Sequence, residues 1–376
     1  MDRDRLLIYL SIFVIMGLSD AVIPVLPEFA DLSQHGSSAF ISTLLFSAYF
    51  FGALVTMLPF GILSERIGHK KLIFLSMLLT VTSGIILYFS NNIVLLICAR
   101  LLEGIACGAF FPSAFSMLAS YQKRKQYIGE FYFILNAGLA SGVILAGTMA
   151  SIYFKYGIAF FTILSVLPLA IATLHLYNNN YVVVSIRKDV RTEVREKINA
   201  SFNLMIKSPF IYIWIVTFAL LGANGVLLAL YPEYSANFLS KSDLGVAIGV
   251  TYISTMISSI GAPYLPFKDK DLVRIGIVLA SMGTFFAISM PFLGFILLGS
   301  GSGFAMVGMP TMLSYLSTER GITMGVYSTC SYGGLAIVPV IAGLFIRYPG
   351  FEFVFGATAI ILFATIIFVK KFEASL

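Results

Sequence analysis

This sequence is poor in charge. Asp, Glu, Lys and Arg make up only 11% of its 376 residues, while 59% are hydrophobic. A soluble domain carries about 25% charged residues. So little charge cannot cover a water-facing exterior, and most of the surface must face lipid. Cysteine is scarce as well. Cys98, Cys107 and Cys330 each fall within an apolar run, which leaves no disulfide framework or CxxC metal site and reads as helix packing. His35, His69 and His175 are scattered, so no metal site is expected. The chain also lacks HExxH, a serine-nucleophile motif and paired catalytic carboxylates, which argues against an enzyme and calls for no cofactor.

Strict apolar–polar alternation is missing too, which excludes a membrane β-barrel. What remains is a series of unbroken apolar runs near the roughly 20 residues that a helix needs to cross about 30 Å of hydrocarbon. Twelve candidate spans begin near Leu6, Ala39, Leu72, Ile93, Gln126, Tyr156, Pro209, Leu244, Leu272, Phe292, Gly321 and Phe351. The first carries Asp20, Pro24 and Pro27 and no small-residue cleavage site, so it is expected to stay as a helix rather than act as a signal peptide.

Charge, where present, is placed unevenly. With alternate loops read as cytoplasmic from the amino terminus onward, twenty of the twenty-four Lys and Arg residues lie inside. Lys155, Lys241 and Arg347 lie outside, and Arg100 falls within a span. The positive-inside rule then predicts a multi-pass protein of the inner or plasma membrane with both termini cytoplasmic. The net charge of +6 records this topology and implies no nucleic-acid partner.

The chain repeats itself. GLSDAVIPVLPEFA (Gly17 to Ala30) is similar to GANGVLLALYPEYS (Gly222 to Ser235) at an offset of 205. The offset drifts to 200 for Gly61 and Gly261, 198 for Pro112 and Pro310, and 196 where Gly129 to Gly147 meets Gly325 to Gly343. The fold expected is an all-α membrane protein with twelve transmembrane helices in two pseudo-symmetric six-helix bundles, residues 1–177 and 209–376. Residues 178–208 form a polar cytoplasmic linker in which Val190, Val194, Ile198 and Phe202 recur every four residues. That spacing suits an amphipathic helix on the inner leaflet, with a solvated tether as the alternative.

The segment GILSERIGHKKL, Gly61 to Leu72, is a charged hinge between two apolar runs. Its Gly61, Arg66, Gly68 and Lys70, with Glu65 and His69, resemble the loop motif of the major facilitator superfamily, Gly-x-x-x-Asp-Arg-x-Gly-Arg-Arg. RLLEGIACGAFFP, Arg100 to Pro112, is similar to that family's helix 4 motif, with Glu103 where Gln is usual. IPVLP, Ile23 to Pro27, resembles the end of helix 1 in its twelve-helix drug:proton antiporter branch. GLASGVILAG, carrying Gly138, Gly142 and Gly147, resembles the helix 5 antiporter motif with Val143 in place of proline. The resemblance implies a transporter whose loop motif controls conformation, with Glu65 near the start of helix 11 around Gly321 to Gly325 and Arg66 latching the outward-open state.

Asp20, Arg100 and Glu103 are ionisable residues well inside spans, where each costs about 2.5 to 3.5 kcal/mol to insert. By helix rise, Asp20 and Arg100 reach nearly the same depth, and Glu103 shares a helix face with Arg100. Their summed charge is minus one, so a single proton or monovalent cation would neutralise them. Two readings stay open: a proton-coupling switch with Asp20 as acceptor, and a fixed structural ion pair with Glu103 protonated.

Asn136, Asn224 and Tyr332 are candidate cavity residues, with helix-to-helix hydrogen bonding as the competing role. Glu28 and Glu233, at the outer helix ends, are expected to meet water. Gly104 with Gly108, Gly138 with Gly142, and Gly299 to Gly303 read as close packing. The leading expectation is a monomer that expels small amphipathic or cationic compounds in exchange for protons. The alternatives are a proton-linked sugar, amino-acid or organic-acid transporter and a transporter-like sensor without turnover.

Overall fold

The computed structural model describes residues 2–32, 38–177, 210–316, 320–348 and 350–374, and every regular element among them is helical. The polar linker expected at 178–208 and His35 lie outside the described residues, as do the side chains of Glu65 and His175.

Apolar continuity sets the helices, and glycine, proline and capping side chains end them. α1 (Arg3–Ala21) gives way to one 3-10 turn at Ile23–Val25 and a short α2 (Leu26–Asp31), where Pro24 and Pro27 withdraw backbone donors. α3 (Ser38–Ile67) runs for 30 residues, about 45 Å, longer than the hydrocarbon it crosses. The charged hinge is therefore shorter than the sequence suggested. Glu65 and Arg66 belong to α3, and the break is Gly68 alone, whose φ of 95° favours glycine. α4 (His69–Phe89) starts at the next residue. α5 (Ile93–Ala119) begins where the Asn92 side chain accepts from the amides of Val94 at 2.9 Å and Leu95 at 3.3 Å. α6 (Arg124–Met149) and α7 (Tyr156–Tyr177) follow.

Beyond the linker come α8 (Phe210–Tyr234), α9 (Lys241–Gly261), α10 (Asp269–Phe286), α11 (Pro291–Leu316), α12 (Arg320–Phe345), α13 (Phe351–Ala364) and α14 (Ile366–Ala374). Among the described residues, eleven spans are long and apolar enough to cross a membrane. α10 is the twelfth helical segment; its 18 residues begin with Asp269, Lys270, Asp271 and Arg274, which dilute its hydropathy. All twelve predicted starts fall within three residues of an observed helix start.

The chain forms two compact units, residues 1–190 with 236–246, and 191–235 with 247–376. In the first, α5 packs against α3 and α4, and α1 against α6 and α7. In the second, α10 packs against α11 and α13, and α8 against α12. Glycines set the closest approaches, and they do so twice. A Cβ at Gly138 of α6 would lie 2.7 Å from the Phe13 carbonyl of α1, and one at Gly334 of α12 would strike the Phe218 carbonyl of α8. Phe13 and Phe218 differ by the sequence offset of 205, and Gly138 and Gly334 by 196, so the repeat seen in the sequence returns as a repeated contact.

Candidate functional site

The first unit holds a cluster of buried charge where α1, α3 and α5 meet. Glycine brings α3 and α5 together: a Cβ at Gly104 would strike the Tyr49 carbonyl, and one at Gly108 the Thr56 hydroxyl. That proximity carries Arg100, one turn before Gly104, onto α3. Its Nε donates to the Leu45 carbonyl at 3.2 Å and its Nη1 to the Ser19 carbonyl of α1, also at 3.2 Å. Nη1 also pairs with Glu103 Oε2 at 2.7 Å. The guanidinium lies 5.0 Å from the centroid of the Tyr49 ring, within cation–π range.

Arg100, Glu103 and Asp20 are 1%, 0% and 3% exposed. Arg100 reaches the carbonyl next to Asp20 in sequence, which agrees with the depth arithmetic for the two residues. Glu103 Oε1 has no hydrogen-bond partner among the described residues. With several guanidinium donors engaged by protein oxygens, Arg100 is poorly placed to hold a substrate carboxylate. The Ser19 and Leu45 carbonyls escaped sequence reasoning because any residue supplies a carbonyl. Tyr49 gave a weak signal, as one aromatic among many.

The other predicted residues are dispersed. Gly61 sits inside α3, where an added Cβ would lie 3.6 Å from Pro112 of α5, and Arg66 is half-buried in the last turn of α3. His69 and Lys70 open α4, and Lys70 pairs with Asp4 of α1 at 2.9 Å. Asn136 donates to the Tyr132 carbonyl of its own helix at 2.9 Å. Asn224 of α8 donates to Ser302 of α11 at 3.0 Å, a helix-to-helix hydrogen bond. Tyr332 is half-buried on α12. Gly138 and Gly142 close α6 on α1, and Gly147 meets the backbone of Lys241 and Gly245 at the start of α9.

Two of the cations that the sequence assigns to the outer side are tied down. Lys241 pairs with Glu28 at 2.8 Å and donates to the Pro24 carbonyl at 2.9 Å, so Glu28 meets a cation rather than water alone. Lys155 is 1% exposed; its Nζ donates to the Ser90 carbonyl at the end of α4 at 2.7 Å and to Asn91 Oδ1 at 2.9 Å. Burial pulls its pKa below the ordinary lysine value. Cys107 and Cys330 are buried as packing residues, whereas Cys98 is exposed on α5.

A family model described as Major Facilitator Superfamily matches residues 8–334. The chain is 27% identical over 254 residues to the quinolone resistance protein NorA of Staphylococcus aureus, covering 66% of this chain and 63% of that protein, less than two thirds of its length. An uncharacterized transporter of Buchnera aphidicola subsp. Schizaphis graminum is 26% identical over 308 residues, covering 77% of this chain and 71% of that protein. The crystal structure of a peptide transporter, POT, superposes with a TM-score of 0.79 at 12% identity, covering 98% of this chain and 94% of that one, a likeness of fold.

Proposed function

The chain belongs to the major facilitator superfamily, and on that premise we propose that it is a secondary active transporter that exports small amphipathic or cationic compounds in exchange for protons. The observation that carries the reading is the buried cluster of Asp20, Arg100 and Glu103, whose formal charge is minus one. Entry of one proton neutralises it, and entry of one monovalent cation does the same, so the two compete for one state. Asp20 is the proposed proton acceptor. Glu103 already faces Arg100 and serves as the counter-charge that keeps the guanidinium in place. The similarity to a quinolone resistance protein supports export of amphipathic compounds.

One proton suffices energetically. For a neutral compound exchanged for one proton, a membrane potential of about 150 mV supplies roughly 3.5 kcal/mol, enough to sustain a gradient of a few hundredfold, whereas exchange of one monovalent cation for one proton moves no net charge and draws on the pH gradient alone. The loop motif from Gly61 to Lys70 is read as a conformational control rather than a substrate contact, with the Lys70–Asp4 pair anchoring it to α1.

The test is solute flux in proteoliposomes under an imposed pH gradient, using lipophilic cations and comparing the wild type with Asp20→Asn. Proton-driven cation flux that disappears in the variant is the expected result. Unchanged flux in Asp20→Asn would remove Asp20 from the coupling role. Binding without flux in the wild type would favour a sensor.

A further inference from the structure

Arg100 is attached to α3 twice. Its Nε donates to the Leu45 carbonyl at 3.2 Å, and its guanidinium lies 5.0 Å from the centroid of the Tyr49 ring. Leu45 and Tyr49 are four residues apart and share one face of the helix. Neighbouring turns of α3 therefore supply a carbonyl for one edge of the guanidinium and a ring within cation–π range of it. From α1, the Ser19 carbonyl accepts from Nη1 at 3.2 Å, and the next residue is Asp20.

The ring is held in turn. Tyr49 is buried, its carbonyl takes the close approach of Gly104, and its ring meets that of Phe50 edge-on with centroids 4.9 Å apart. The titratable groups on this crossing are Asp20 of α1, Tyr49 of α3, and Arg100, Glu103 and Cys107 of α5. The helices packed against it add no charge at this depth: α4 from Leu72 to Phe89, α6 from Phe131 to Met149 and α7 from Tyr156 to Leu174 carry no charged residue. Beyond the end of α1, α2 brings Asp31 and Glu28, the latter paired with Lys241, and near the start of α1 Tyr9 donates to Glu130.

We propose that Tyr49 is a positioning residue for proton exchange: its ring keeps the Arg100 guanidinium on the α3 side of the cluster and leaves the Asp20 carboxylate to be neutralised by a proton. The inference rests on the export reading above and adds a residue to it. A ring attracts the cation through its quadrupole and carries no formal charge, so the cluster keeps its sum of minus one. A carboxylate in the place of Tyr49 would also hold the guanidinium, but it would bring the sum to minus two, and one proton would no longer neutralise the site. Without the ring, the guanidinium loses one of its two holds on α3 and is freer to pair with ionised Asp20. A proton must then displace a cation.

The test is flux of tetrapropylammonium in proteoliposomes at a fixed pH difference, with both pH values stepped together. Loss of a desolvated cation–π contact weakens a hold by about tenfold or more. The pH of half-maximal flux in Tyr49→Leu should therefore fall by about one unit. Tyr49→Met, which fills space without a ring face, should fall likewise, whereas Tyr49→Phe keeps the ring and should stay within about 0.3 unit of the wild type. An unchanged midpoint in both ring-less variants would overturn the role of Tyr49. So would an equal fall in Tyr49→Phe, which would assign the effect to the hydroxyl. Unfolding temperatures in detergent separate the remaining case: a ring that only packs would lower them without moving the midpoint, and loss of the fold in both ring-less variants would likewise make the ring structural and overturn the proposal. Wild-type flux that ignores the pH difference would defeat the export reading itself, a result read from the wild type alone, and the role of Tyr49 would fall with it.

Discussion

Arg100 shows how a residue can be found from sequence while its environment cannot. An arginine inside an apolar span announces itself through its insertion cost, and Glu103 three residues on announces a partner. The carbonyls of Ser19 and Leu45 that complete its shell belong to backbone and have no signature. The pairing sets a prediction. Glu103→Leu leaves the guanidinium without its counter-ion in a buried site, and should destabilise the protein by about 3 kcal/mol, the lower end for a broken buried pair because the carbonyls remain. Glu103→Gln keeps a hydrogen-bond acceptor and should lose clearly less. Thermal unfolding in detergent compares the two, and equal losses would show that the charge of Glu103 contributes little. Lys155 supplies a second prediction. Its folded-state pKa lies below the ordinary lysine value, so just below that value the unfolded chain binds more protons than the folded one. Stability should therefore rise with pH up to about pH 10.4. A neutral amine still donates to Ser90 and Asn91, so this gain comes without loss of either bond. Lys155→Met should flatten that part of the pH–stability curve, and an unchanged slope would assign it to other groups.

At the scale of elements, hydropathy located the helices and glycine located their contacts, because each depends on local composition. The offsets of 205 and 196 predicted equivalent residues, and the packing of Gly138 on Phe13 and Gly334 on Phe218 gives that equivalence a physical form. The sequence was less clear about Gly61 to Leu72. Charge suggested a long hinge, but charged residues are good helix formers, and only the positive φ of Gly68 requires a break. The cost of adding a Cβ should follow these contacts. Gly138→Val and Gly334→Val should each lower the unfolding temperature sharply and by similar amounts, since each forces a side chain into a neighbouring backbone carbonyl. Gly129 has open space around it, so Gly129→Ala should be neutral or stabilise by up to about 1 kcal/mol. Differential scanning fluorimetry of the three variants tests this, and a tolerated Gly334→Val beside a destabilising Gly138→Val would break the equivalence of the repeats.

For the whole molecule, orientation is proposed from where the basic residues lie, since the rule counts Lys and Arg and takes little account of nearby acids. Of the three basic residues assigned to the outer side, Lys241 is paired with Glu28, Lys155 is buried on a helix-end carbonyl, and Arg347 is exposed. Among the residues assigned to the inner side, Lys70 opens α4, Lys123 and Lys268 immediately precede α6 and α10, and Lys370 lies on α14. By the rule that basic loops stay in the cytoplasm, we propose that both termini lie there. In a background with Cys98, Cys107 and Cys330 replaced by alanine, exposed positions report the orientation directly. Ser151→Cys and Ser289→Cys should react with a membrane-impermeant maleimide on intact cells, whereas Ser120→Cys and Lys268→Cys should react only after permeabilisation. The reverse pattern would invert the molecule and the direction in which a proton gradient acts on it. Labelling of all four positions from one side would contradict the alternation of loops on which the assignment of twelve spans depends.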